Sequence, residues 1–145
     1  MAAFDRYGIE YLIVGGIAVG FYAEPRFTKD LDILVAVHPP DHLKLFQALK
    51  EFGAPTHLVS PEDFTKEDFV FYFGAPPWRI DILTSIPGVD FDQAYGDRET
   101  MTIETTKVSC ISREWLIRSK RASGRHQDLA DLDQLEKLES PAGDD

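Results

Sequence analysis

Cysteine is nearly missing from this chain of 145 residues: Cys110 stands alone, so no internal disulfide can form. A lone thiol fits a reducing cytoplasm, and its small apolar character predicts a core position and not a nucleophile. Long hydrophobic runs are missing too, and none approaches the roughly 20 residues that span a bilayer. Residues 1–6 lack a basic segment followed by an apolar one, so no signal peptide is expected. Basic charge is scarce: 15 Lys and Arg against 25 Asp and Glu leave a net charge of −10. Such a surface repels phosphates and excludes a broad electrostatic nucleic-acid binder. The bases that do occur gather late, at Arg113, Arg118, Lys120, Arg121 and Arg125, enough to meet one phosphate group or one RNA end. His38, His42, His57 and His126 show no metal-ligand spacing and read as surface residues. With no repeat, low-complexity block or linker, residues 1–139 are expected to form one domain, with 140–145 a frayed tail.

What is present is an alternation of short apolar runs with helical segments. Tyr11-Leu12-Ile13-Val14 predicts a buried strand stopped by Gly15-Gly16, and residues 17–22 a helix ending before Pro25. Residues 30–35 predict a second strand. Asp41 is the expected cap of a helix through Phe52, with Gly53 as its stop. Residues 69–73, aromatic and β-branched, and 78–83 predict two more strands, the first as sheet core and not a base-stacking platform. Residues 100–104 and 107–111 predict a hairpin or two short strands. Ser112 caps a helix to Ser123 that Gly124 ends, and 128–138 form a last helix. The expected class is mixed α/β (α+β): a mixed twisted sheet flanked by helices, with a helical C-terminal segment.

Three carboxylates stand out against this pattern. Asp30 and Asp32 sit two apart in an apolar strand, so their side chains share one face. Asp81 repeats the anomaly in Arg79-Ile80-Asp81-Ile82-Leu83. Like charges on strands that favour burial call for a cation among them. Oxygen donors that must also meet phosphates select Mg²⁺, two ions for phosphoryl or nucleotidyl transfer, or Mn²⁺ in its place. Gly15-Gly16, between a strand and a helix, offers unpaired backbone N–H groups to a phosphate. Each feature also has a plain reading. The Gly pair is a simple turn, Asp30 and Asp32 edge an exposed strand beside Lys29, Asp81 pairs with Arg79, and Lys120 and Arg125 lie on a solvated helix face balancing Asp128, Asp131 and Asp133.

Taken together, Gly15-Gly16, Asp30-Leu31-Asp32 and the later strand residue Asp81 resemble the signature of the polymerase-beta-type nucleotidyltransferase superfamily. Val14-Gly15-Gly16-Ile17-Ala18, Arg26-Phe27-Thr28-Lys29-Asp30-Leu31-Asp32-Ile33 and the segment from Leu116 to Arg125 are similar to small bacterial nucleotidyltransferase-like proteins. Relatives of that kind include members of toxin–antitoxin and abortive-infection systems. The resemblance spans residues 11–138 and implies a minimal nucleotidyltransferase fold; the sequence departs from it at the start, where any leading helix common in relatives is expected to be short or absent. It also implies that Asp30 and Asp32 hold both metals and that Asp81 completes the catalytic set. Nucleotide contacts would come from Gly15, Gly16, Lys29, Lys120 and Arg125.

The implied activity moves a nucleoside monophosphate from an NTP to a hydroxyl acceptor: an RNA end such as that of a tRNA, a protein side chain or a small molecule. The rival expectation is a nucleotidyltransferase-fold binding or regulatory module, catalytically weak or inactive, paired with a partner protein or with its own copies. A third is a carboxylate-cluster nuclease or phosphatase.

Overall fold

In the computed structural model, residues 2–23, 30–36, 38–75 and 77–144 are described, with side chains through Lys137. Six strands form one sheet: β1 (Tyr11–Val14), β2 (Asp30–Val35), β3 (Val70–Phe73), β4 (Arg79–Leu83), β5 (Glu99–Ile103) and β6 (Thr106–Cys110). Their order across the sheet is β3-β4-β2-β1-β6-β5. β2–β4 and β1–β6 pair in parallel, and the other neighbours pair antiparallel. The mixed sheet flanked by helices is the architecture expected from the sequence.

Among the described residues six α-helices flank the sheet: α1 (Ala2–Arg6), α2 (Gly15–Tyr22), α3 (Asp41–Phe52), α4 (Phe91–Gly96), α5 (Arg113–Ser123) and α6 (His126–Asp144). Two 3₁₀ turns, Thr56–Leu58 and Pro61–Thr65, join α3 to β3. Strand periodicity assigns the layers. Leu31, Ile33, Ile80 and Ile82 face the side lined by Phe4 of α1 and by Leu49 and Phe52 of α3. Asp32, Asp81 and Leu83 face the side lined by Leu116 and Lys120 of α5. β1 is buried along its whole length, as a central strand covered on both faces must be. Each fully buried aliphatic side chain such as Leu12, Ile13, Leu34 and Ile82 contributes about 1.5–3 kcal/mol.

Several local expectations hold. Gly53 and Gly124 end α3 and α5 in left-handed conformations, φ 104° and 66°, that favour glycine. The Ser112 hydroxyl accepts from Trp115 N–H at the start of α5. Cys110 is fully buried, and burial pushes its thiol up to about 12, so it stays protonated and unreactive.

Others shift. α2 begins at Gly15, two residues earlier than its apolar run, because the glycines themselves enter the helix. Asp41 is the first helical residue and not a side-chain cap, since Pro40 precedes it without a cap bond. The aromatic run is half core. Phe71 is buried against Phe64 and Phe73, while alternation turns Tyr72 outward at 64% exposure. His38, His57 and His126 are exposed, whereas His42 is half-buried on α3. α1 and α4 are too short for their periodicity to announce them.

Candidate active site

The parallel register of β2 and β4 sets Asp32 directly beside Asp81, and the antiparallel register of β1 sets Val14 beside Asp32. The chain leaves Val14 into Gly15, whose φ of +70° is a conformation open to glycine at little cost. A Cβ at residue 15 would overlap Asp32 Oδ2 and stand 2.8 Å from its Cγ. Glycine is therefore required twice, by the backbone and by the carboxylate pressed against it. Gly15→Ala is expected to lower the unfolding free energy by about 1–3 kcal/mol and to weaken NTP binding. Urea denaturation and a fluorescent-nucleotide titration check this, and unchanged values in both would refute it.

Val14, Gly15, Asp32 and Asp81 open onto a cavity of about 480 Å³. Leu116, Ser119, Lys120 and Ser123 of α5 form its opposite wall, with Arg125 and Asp128 beyond. The spacing 116, 119, 120, 123 is one helical face, a signal present in the sequence but read only for its charges. The structure thus gathers five of the expected site residues: Gly15, Asp32, Asp81, Lys120 and Arg125. Gly16 is the second residue of α2 and Asp30 the exposed first residue of β2, and neither lines the cavity. Lys29 lies outside the described residues. Ser85, Ser119, Ser123 and Asp128 are lining residues that sequence reasoning did not assign to the site.

Electrostatics separates the carboxylates. Burial, then the neighbouring Asp81 and Asp30, pushes the Asp32 carboxyl up to about 6, with Arg79 opposing. Asp81 accepts both Nε and Nη2 of Arg79, at 2.7 and 3.1 Å, so the plain pairing foreseen for these two is present. Asp128 is buried on α6. Burial alone would raise its carboxyl, but hydrogen bonds from Arg125, Ser123 and Lys120 hold it well below the usual carboxylate range. Lys120 is not on a solvated face: it is buried and pairs with Asp128 at 3.0 Å and Asp131 at 3.2 Å. Arg125, exposed, reaches Asp128 at 2.8 Å.

Oxygen-only donors, with one carboxyl driven toward protonation by burial and then by its neighbour, are chemistry that fits a hard divalent cation such as Mg²⁺. Among the described residues, however, no three acidic, His or Cys side chains stand close enough together to hold an ion. Asp81 is engaged by Arg79, and Asp30 lies at the exposed strand start.

No family model matches the sequence, and no curated protein sequence matches it. Solved structures do. The chain is similar to an antigenic nucleotidyltransferase-like protein from Paracoccidioides brasiliensis, at 20% identity and TM-score 0.52, over 93% of this chain and 69% of the other. It is also similar to ANT(2″)-Ia, solved in complex with adenylyl-2″-tobramycin, at 17% identity and TM-score 0.59, over 96% of this chain and 88% of the other. No helix of the described residues is long and apolar enough to cross a membrane. The six-stranded mixed sheet with its flanking helices is thus the nucleotidyltransferase fold.

Proposed function

We propose that this protein is a Mg²⁺-dependent nucleotidyltransferase that moves a nucleoside monophosphate from an NTP to a hydroxyl acceptor. The observation that carries the reading is the pairing of Asp32 with Asp81 across β2 and β4, at a cavity whose other walls hold Gly15, Lys120 and Arg125. Asp30 and Asp32 would hold the metal ions, with Asp81 shared between metal binding and the acceptor hydroxyl. The ions, when bound, would lower the pKa of that hydroxyl and offset charge on the triphosphate. The first turn of α2 contributes backbone N–H groups that its own helix leaves unpaired, suited to a phosphate. Lys120 and Arg125, each neutralised at rest by Asp128, are the cations on the facing wall.

ANT(2″)-Ia, whose complex contains an adenylylated small molecule, makes a small-molecule hydroxyl the acceptor class to try first. RNA ends and protein side chains follow. Pyrophosphate release from Mg²⁺ and each NTP, across an acceptor panel, tests the reading. It fails if no Mg²⁺-dependent NTP binding occurs and Asp32→Asn binds NTP as the wild type does.

One observation favours a second reading, a nucleotide-binding or regulatory module of low activity, of the kind found beside a toxin–antitoxin partner. Asp81 is tied in both oxygens, and Lys120 in two ion pairs, so these two charged groups of the cavity are already satisfied. Stable complex formation with a partner protein without metal would support it.

A further inference from the structure

Asp81 lines the cavity, yet its partner comes from outside it. Arg79 and Asp81 are two apart on β4 and therefore share a face, and the guanidinium closes on the carboxylate with a two-bond fork. Their exposures differ sharply: the Arg79 side chain is 50% accessible and that of Asp81 is 12%. The guanidinium thus reaches in to the carboxylate from the rim. Its outer side is supported by Tyr72 of the edge strand β3, directly across from Asp81, with Arg79 Cζ 4.8 Å from the ring centroid. Ring and carboxylate together hold the guanidinium between solvent and cavity. Arg79 also faces Asp30 in the β2–β4 register, so it stands among all three strand carboxylates.

We propose that Arg79 is a latch on Asp81: the resting protein keeps its third carboxylate occupied, and a divalent cation engages Asp81 only in exchange for the guanidinium. The proposal rests on the metal-dependent reading of the site and adds its regulation. Register and alternation place Asp30, Asp32 and Asp81 on one face, and the guanidinium stands where a cation would bridge them. Arg79 is in this sense a positioning residue, acting through Asp81.

The test is a Mn²⁺ titration of the full chain without nucleotide, followed by the electron paramagnetic resonance signal of free Mn²⁺. Wild type is compared with Arg79→Lys, Arg79→Ala and Tyr72→Leu. Lysine keeps the charge and loses the fork, so Arg79→Lys is expected to bind Mn²⁺ about threefold more tightly. Arg79→Ala is expected to gain about tenfold, and Tyr72→Leu, which removes only the ring at an exposed position, about twofold.

If Arg79→Ala does not fold, the lysine and Tyr72 variants carry the comparison. Equal or weaker binding by Arg79→Lys, with Mn²⁺ bound by the wild type, overturns the latch and leaves the metal reading standing. A gain in Arg79→Ala alone also overturns it, since charge removal would then suffice. Failure of every form to bind Mn²⁺ overturns the latch and the metal reading together.

Discussion

Asp32→Asn is expected to make the metal-free protein more stable while lowering Mg²⁺-dependent nucleotidyl transfer by about 10²–10³-fold. Both effects have one cause. Asp32 sits half-buried beside Asp81, and its carboxyl is pushed from 3.8 up to about 6, first by burial and then by that neighbour. A carboxyl held above its unfolded value keeps a proton in the folded chain where the unfolded chain has lost it. Stability therefore falls as pH rises from about 3.8 to about 6 and then levels off at its lower value. The ceiling on this penalty at neutral pH is about 3 kcal/mol.

Asparagine has the same shape and no charge, so the variant lacks the penalty at every pH. Chemical denaturation of both forms in metal-free buffer checks this. The stability gap between variant and wild type should widen by about 1 kcal/mol from pH 5 to pH 7. Parallel pH profiles would remove the basis for treating Asp32 as a strained functional carboxylate. Added Mg²⁺ should stabilise the wild type at pH 7 more than at pH 5, and the variant little at either.

Asp128→Ala is expected to act in the opposite direction, costing about 3–5 kcal/mol. This carboxylate lines the same cavity but is 1% exposed and fully engaged. Lys120 Nζ donates to Oδ1 at 3.0 Å, Arg125 Nε donates to Oδ2 at 2.8 Å, and the Ser123 hydroxyl also donates to Oδ2. Three donors on α5 and the following turn thus close on one acceptor in the first turn of α6, and α6 docks through them.

Alanine leaves the buried Lys120 ammonium with Asp131 as its remaining ion-pair partner. The folded carboxyl lies below its unfolded value, so its contribution is fully present above about 3.8 and is lost as pH falls from there toward the lower folded value. Urea denaturation at pH 7 reads the loss, and a change under 1 kcal/mol would show the cluster to be dispensable. NTP affinity should fall with it, because Lys120 and Arg125 lose the carboxylate that orients them. One cavity thus holds a carboxylate that weakens the fold and another that holds its wall in place.

Most elements could be read directly. β1 is a continuous apolar run and β2 is apolar but for its two aspartates, Ser112 and Gly124 bracket α5, and β5 and β6 pair as neighbours. These features are local, set by backbone propensity and by which groups a helix end leaves unpaired. The start of α2 was misplaced because Gly15 and Gly16 have poor helix propensity, and packing against β2 overrides it. Lys120 read as a surface base because charge along a helix says nothing about which face another helix will cover. α6 covers it.

By itself the sequence determined the mixed α/β class, the inert buried thiol, the two-residue spacing that puts Asp30 and Asp32 on one strand face, and the glycines at the mouth of a helix. Alternation and capping act over a few residues, so a linear reading can see them. Only the tertiary structure decided that Asp32 would stand beside Asp81 in register, that Lys120 and Arg125 would close the opposite wall, and that Arg79 would take both oxygens of Asp81. Strand pairing between residues some 50 positions apart, and helix docking across a cavity, depend on where the chain returns and not on its local pattern.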